Sequence, residues 1–297
     1  MNRPNRCFIV NPGARKGQGL KLWQKLASQI PDIEQKSVFI CEDWDELRLK
    51  ACYALDHGYQ EVYAVGGDGT AAQVAAAFMD RPNSQASLGI LPTGSGCDYY
   101  RSISGGLRPV DYLRKSQTMA VDIFNIRFDD RVIYGLNSAS VGITADIVAR
   151  KDQLSTWVPT ALSYALPTVS SFLSYQPETW PLEIDEHDHS QKLLAIMVCK
   201  GLYAGGGMKL GESGALASGA LAISLIPQLS GPQFLRHAPQ LYVQGLRKLS
   251  PVIALDGQHL QITMPTPFAL EVDGELYSGK RLDISIMPKA LQLKLAL

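Results

Sequence analysis

Hydrophobic and polar positions along this chain follow two regimes. Up to about residue 120, short apolar runs are each followed by apolar residues returning every three or four positions. Arg6 to Val10 is the first run, and after a glycine-rich turn Leu20, Trp23, Leu26 and Ile30 recur at helical spacing. Ser37 to Cys41 predicts a second strand. Asp43 and Glu46 have the form of a capping box, and Leu47, Ala51, Ala54 and Leu55 continue a helix that Gly58 can end. Val62 to Val65, Thr70 to Met79 and Leu88 to Leu91 predict strand, helix and strand in turn. Repeated β-α units of this length predict an α/β domain: a parallel sheet flanked by helices.

Near Met119 the pattern changes. MAVDIFNIRF, the turn Asp129-Asp130 and RVIYGLNSA predict a hairpin. Further strands are predicted at Leu182 to Asp185, Leu193 to Cys199, Ala220 to Ile226, Val252 to Asp256, Gln261 to Met264, Phe268 to Val272 and Leu282 to Met287. Short strands separated by turn signals predict a β-sandwich, here interrupted by helical insertions around 158–175 and 231–248. The domains are expected at 1–121 and 122–287, and the final strand, 288–297, can return to the first. In the first insertion Leu162, Leu166, Val169 and Leu173 recur at helical spacing beside Trp157 and Phe172, with Pro167 expected to kink the helix. That apolar element reads as core packing or as a roof over an apolar ligand.

Composition narrows the field. The chain has 297 residues, 46% of them hydrophobic, and 28 basic residues against 28 acidic ones. A neutral chain lacks the electrostatic footprint of a nucleic-acid binder. The cysteines (7, 41, 52, 97 and 199) are odd in number and without a CxxC pair, as expected of a reduced, cytoplasmic protein. The apolar run after the N-terminus is too short for a signal peptide, and no run is long enough for a transmembrane helix.

Three glycine-rich loops follow predicted strands. In VGGDGT, Gly66 and Gly67 let backbone approach a ligand, and the helix opened by Thr70 favours an anion such as phosphate. Asp68 beside phosphate is reconciled by a bound Mg²⁺, which the carboxylate would hold. NPGARKGQG, residues 11–19, carries Asn11, Pro12 and Gly13 with the cations Arg15 and Lys16. LPTGSGCDYYRS, residues 91–102, offers Thr93, Ser95 and the amides of Gly94 and Gly96. Ligands of open parallel sheets bind at such strand ends. Taken alone, Glu186-His187-Asp188-His189 and Asp273-Gly274-Glu275 read as hairpin turns.

In these motifs and their order the chain resembles the diacylglycerol kinase catalytic family, which includes bacterial lipid kinases and the sphingosine and ceramide kinases. NPGARKG is similar to its NPxSG-type loop, VGGDGT is its signature, and LPTGSGCDYYR resembles its P-x-GTGNDFAR. VDIFNI with YGLNSASVGITADIV, KGLYAGGGMKL at 200–210 and EVDGELY at 271–277 extend the likeness over nearly the whole chain. The resemblance implies an NAD kinase/phosphofructokinase-like, three-layer α/β domain that binds ATP, and a β-sandwich domain against which lipid enters. It implies a nucleotide site at Asn11, Pro12, Gly13, Cys41, Gly66, Gly67, Asp68, Gly69, Thr70, Thr93 and Gly94, where Cys41 stands in place of a frequent threonine. Asp68 would hold Mg²⁺, Glu275 would accept the lipid hydroxyl proton, and Asp273 would assist if it shares a strand face with Glu275. The implied acceptor is diacylglycerol-like, met at the membrane surface by a cytoplasmic, peripheral enzyme. The oligomeric state is left open, a homodimer being one option.

Three departures bear on these expectations. Cys97 replaces the asparagine of the family's NDF, and Ala72 and Gln73 replace Asn and Glu after GGDGT. Where relatives read DDG-x-L-D around a structural Mg²⁺, this chain has Ala217-Ser218-Gly219-Ala220-Leu221-Ala222, so that metal is expected to be missing or held differently. The alternatives are a soluble-substrate kinase of NAD kinase type, which shares GGDGT, and a nucleotide-binding regulator with weakened catalysis.

Overall fold

A computed structural model describes residues 5–296 except 31–32, 34–36, 153–166, 169 and 173. The chain divides into two compact units, Met1–Val121 with Lys289–Leu297 and Asp122–Pro288.

The first unit opens with β1 (Arg6–Val10), a single turn α1 (Ala14–Gly17), α2 (Gly19–Ala27), β2 (Val38–Ile40) and α3 (Trp44–Asp56). It continues with β3 (Glu61–Gly66), α4 (Asp68–Asp80), β4 (Ser87–Pro92), α5 (Asp98–Ile103), α6 (Pro109–Lys115) and the start of β5 (Gln117–Phe128). The sheet order is β4-β3-β1-β2, all parallel, and Leu293 of the last strand pairs in parallel with Leu88 of β4. β3 is buried along its whole length, as its apolar run requires of a strand covered on both faces. Phe8 of β1 packs between Trp23 of α2 and Tyr63 of β3, at ring-centroid distances of 5.0 and 5.4 Å. The Tyr63 ring then lies over Gly89 of β4, where a Cβ would sit 3.0 Å from its Cζ. The N-cap half of the expected capping box is present, with the Asp43 carboxylate accepting from the Glu46 amide at 2.9 Å, but Glu46 Oε2 accepts from the Glu42 amide, one residue before the cap, at 2.8 Å. Gly58 ends α3 with φ +74°.

From β1 the chain moves out to β2 and then back across β1 to β3. The strand order therefore reverses at β1, and the crevice outside the carboxyl ends of β1 and β3 is the place where open α/β sheets bind ligands.

The second unit is antiparallel. Its strands are β6 (Arg131–Gly135), β7 (Ser138–Gly142), β8 (Glu178–Trp180), β9 (Leu182–Ile184), β10 (His187–Asp188) and β11 (Gln191–Cys199). They continue as β12 (Tyr203–Ala204), β13 (Met208–Lys209), β14 (Leu221–Pro227), β15 (Ile253–Gly257), β16 (His259–Val272) and β17 (Glu275–Leu295). One helix, α7 (Ile143–Asp152), follows β7. β15-β14-β11-β7-β16-β17 pair in that order, with β9 joined to the first half of β16 and β6 to β5. Inward residues of these strands, among them Trp180, Ile196, Ile223, Leu260, Phe268 and Leu282, form one core.

The structure corrects two strand boundaries. The segments expected at 261–264 and 268–272 are one strand, β16, whose register shifts between Thr263 and Phe268. Pro265 and Pro267 lie in this shift, exposed, where their missing N–H groups cost no ladder bond. The segment expected at 282–287 and the final strand expected at 288–297 are likewise continuous in one strand, β17, which ends at Leu295. The second insertion folds as helices Gly231–His237 and Gln240–Val243. In the first, Leu162, Leu166, Val169, Leu173 and Trp157 lie outside the described residues, while Phe172 stacks on Phe234 with ring centroids 4.3 Å apart. The acidic-histidine stretch is a β9–β10 hairpin, with Asp185 and Glu186 at positive φ in its turn.

Candidate functional site

The three glycine-rich loops of the first unit interlock. Asn11, one residue past β1, donates its backbone N–H to Val65 O at 3.0 Å and its side-chain amide to Thr70 Oγ1 at 3.0 Å. The loop after β4 donates the amides of Thr93 and Gly94 to Gly66 O, both at 3.0 Å. Gly94 lies directly against Gly67, and a Cβ on Gly94 would come within 2.8 Å of the Gly67 nitrogen. Gly67 is the N-cap of α4 and has no side chain over the first amides of that 13-residue helix. A helix start bare of side chains, beside two further backbone loops, is a ready anion site.

Asp68 lies at the start of α4 and joins two loops. Its Oδ2 accepts from the Asp98 amide at 3.1 Å and its Oδ1 from the Tyr99 amide at 2.9 Å. It therefore does for α5 what an N-cap side chain does within a helix. The position that would normally supply that cap is Cys97, whose backbone is left-handed, φ 51° and ψ 42°. Asparagine tolerates this conformation better than most residues, which gives a physical reason for the asparagine that the family resemblance implies here. Burial, reinforced by the Asp68 charge, pushes the Cys97 thiol up to about 12, so it stays protonated at neutral pH. Asp98 is buried and pairs with Arg101 at 2.7 Å.

The other expected nucleotide residues divide by burial. Pro12, Gly13, Gly67, Asp68 and Gly69 retain solvent exposure, whereas Cys41, Gly66, Thr70, Thr93 are buried and Gly94 is half-buried. Cys41 donates its amide to Val10 O at 2.9 Å, and burial pushes its thiol up to about 12. Thr93 Oγ1 is buried without a hydrogen-bond partner among the described residues. Arg15, Lys16 and Gly17 are exposed and successively left-handed, with φ 52°, 57° and 86°. No cluster of three or more His, Cys, Asp or Glu side chains able to hold a metal is found among the described residues. A single carboxylate together with substrate phosphates is, however, an ordinary Mg²⁺ environment. An ionised carboxylate accepts at about four positions, so the two α5 amides are compatible with a cation on Asp68.

In the second unit the remaining motifs meet around one carboxylate. Asp273 and Gly274, with φ 50° and 93°, form a two-residue turn between Val272 and Glu275, which pair across β16 and β17. Asp273 and Glu275 therefore do not lie two apart on one strand face, because the turn separates them. The Asp273 carboxylate points inward and accepts the amides of Leu136, Asn137 and Ser138 at 2.7, 2.9 and 2.9 Å. Burial raises it to about 6 against the opposing effect of these three bonds. Glu275 is exposed at the head of β17. Glu271 is buried, accepting from Ser140 Oγ and from the Gly274 amide, each at 2.7 Å. Asn137 donates its side-chain amide to Tyr203 O at 3.0 Å, and its carbonyl accepts the Lys200 amide at 2.8 Å. Gly205, Gly206 and Gly207, all at positive φ, shape the β12–β13 turn just beyond. The roles of Glu271 and Asn137 had no local signal, since Ser140, which bonds Glu271, and Tyr203, which bonds Asn137, are distant in sequence.

This pairing of a parallel α/β unit carrying interlocked phosphate-compatible loops with an antiparallel unit defines the class. Residues 5–126 match the diacylglycerol kinase catalytic domain, and residues 137–295 match the YegS C-terminal NAD kinase beta sandwich-like domain. The chain belongs to the diacylglycerol kinase catalytic family, in the branch that carries this YegS-type C-terminal domain, and its fold is that of a kinase. Similar proteins named "Probable lipid kinase YegS-like" come from Pseudomonas fluorescens strain Pf0-1, 27% identical over 99% of this chain and 90% of the relative, and from Pseudomonas putida, 29% identical over 86% and 83%. A solved structure of a diacylglycerol kinase from Bacillus anthracis str. Sterne superposes with a TM-score of 0.70, covering 100% of this chain and 98% of that one. At 14% identity that likeness speaks to the fold alone.

Proposed function

We propose that this chain is an ATP- and Mg²⁺-dependent lipid kinase that phosphorylates a diacylglycerol-like hydroxyl. The observation that carries the reading is the interlocking of three glycine-rich loops at the reversal of strand order, by Asn11 to Thr70, by Gly94 to Gly66, and by Asp68 to α5. Backbone amides there, with Asn11, Pro12, Gly13, Gly66, Gly67, Gly69, Thr70 and Gly94, cradle the ATP phosphates. Cys41 and Thr93, being buried, shape the cradle from beneath. Asp68 holds the nucleotide's Mg²⁺, which when bound neutralises phosphate charge. The lipid hydroxyl oxygen attacks the γ-phosphorus, the bond to the bridging oxygen breaks, ADP leaves, and the hydroxyl proton passes to Glu275. Asp273 positions Glu275 by fixing the hairpin through Leu136–Ser138. The names of the relatives support a lipid as acceptor.

The reading has the chain working peripherally on the cytoplasmic membrane surface. Among the described residues no helix is long and apolar enough to cross a membrane. The exposed Tyr242 and Val243, flanked in sequence by the exposed cations Arg236 and Lys248, are suited to an interfacial contact.

Glu275→Gln and Asp68→Asn separate the two roles. With Glu275→Gln, ATP affinity is expected to stay within about twofold while lipid phosphorylation falls on the order of 10² or more. With Asp68→Asn, which keeps one carbonyl acceptor for α5 but loses the charge, turnover is expected to be lost with the fold intact. Full turnover by Glu275→Gln removes Glu275 from the chemistry.

A further inference from the structure

Asp122 and Lys200 form an ion pair at 2.7 Å in which both side chains are completely buried. Asp122 lies on β5, and Lys200 follows the last residue of β11. The Lys200 ammonium has two more acceptors, Ser218 Oγ at 3.2 Å and Ala220 O at 2.9 Å. An ammonium has three donors, and all three are matched. Asp122 Oδ2 also accepts the Gly219 amide at 2.8 Å, and Ser218 Oγ lies 3.1 Å from Ala215 O. The loop 218–220 is thus folded around the end of one lysine side chain.

This is the stretch in which the family resemblance implies a structural divalent cation and in which the acidic residues are replaced. The residues present do not fit that ion. Contacts of 2.7–3.2 Å suit N–H···O bonds, whereas Mg²⁺ requires oxygens at about 2.0–2.1 Å in near-octahedral array. One carboxylate balances one ammonium, and a dication added beside Lys200 would be repelled without further anionic ligands.

We infer that Lys200 is a built-in cation: its ammonium takes the place of a structural metal and organises the 218–220 loop against Asp122. The loop is then permanently loaded, and its order does not follow the free divalent concentration. On the function proposed above, the Mg²⁺ that arrives with the nucleotide is then a requirement separate from this loop.

The test is thermal unfolding of the full-length, nucleotide-free protein in EDTA and in millimolar Mg²⁺, for wild type, Lys200→Met and Lys200→Met/Asp122→Asn. Wild type is expected to melt at the same temperature in both buffers. Lys200→Met strands a buried carboxylate and is expected to lower Tm by about 10 °C or to prevent folding. The double variant removes the stranded charge and is expected to recover part of that loss. Wild-type Tm that falls by several degrees in EDTA and returns with Mg²⁺ overturns the inference, as does a Lys200→Met protein as stable as wild type. A double variant no more stable than the single one also overturns it.

Discussion

Asp273 shows how one residue's chemistry depends on neighbours that are remote in sequence. Its carboxyl is raised from about 3.9 to about 6, because burial disfavours the charge more than three amides favour it. The sign follows from linkage. A carboxyl raised in the folded state contributes stability that is fully present below its unfolded value, near pH 4, and lost as pH rises through about 6. The span corresponds to about 3 kcal/mol. Denaturant unfolding of wild type and Asp273→Asn at pH 4, 5, 6 and 7 should show the wild type losing stability across this window, with a flatter profile in the variant. Equal slopes would contradict the burial argument. The sequence made the Asp-Gly turn legible, since this pair favours a two-residue hairpin. It did not show where the side chain points, because the three amides come from Leu136, Asn137 and Ser138. Cys97 is the converse case. Its substitution for asparagine was visible at once, while its left-handed backbone, and the capping of α5 by Asp68 instead, needed the fold.

Among elements, the least expected is β17. The apolar pattern suggested separate strands, because Pro288 and Lys289 break the alternation, and Lys289 has a left-handed φ of 53°. Polar groups fix its last part in the first unit. Lys294 Nζ lies 2.9 Å from Glu61 Oε1 at the start of β3, and Glu61 Oε2 accepts from Arg6 Nε at 2.6 Å and from the Tyr63 hydroxyl at 3.0 Å. Lys294 O also accepts from Tyr112 of α6 at 2.7 Å. Burial acts to raise the Glu61 carboxyl, but the bonds from Lys294 and Arg6 outweigh it, so its net shift is downward. Lys294→Met leaves Glu61 with Arg6 and the Tyr63 hydroxyl, both on Oε2, and its Oε1 without the lysine, and a cost of about 3 kcal/mol is expected. Urea unfolding measures it, and a cost below about 1 kcal/mol would mean that strand packing alone holds the terminus. The α/β pattern itself was well signalled, since helical spacing, the Asp43–Glu46 cap and Gly58 all agree with α3. The sequence of β16 reads as two strands because prolines seldom sit inside one, and here they mark a register shift.

On the scale of the whole molecule, each unit gathers motifs that are scattered along the chain. The first brings residues 11, 66–70 and 93–99 into one set of interlocked loops, and the second brings 136–138, 200–207 and 271–275 around Asp273 and Asn137. The phosphate-compatible loops were readable because glycine, helix start and carboxylate are local signals. The Lys200 site was not, because a lysine before a glycine gives no hint of a buried partner 78 positions away. Breadth of motif agreement, rather than any one motif, distinguished this family from other GGDGT kinases.

The central claim is that the acceptor is a lipid. The most direct measurement incubates the full-length protein with γ-labelled ATP and Mg²⁺, offering a total lipid extract in one reaction and NAD in another, and follows the label into organic and aqueous products. The account predicts a labelled organic-phase product, identified by mass spectrometry as a phosphorylated diacylglycerol-like lipid, and none from NAD. Labelled NAD phosphate with no labelled lipid would contradict it.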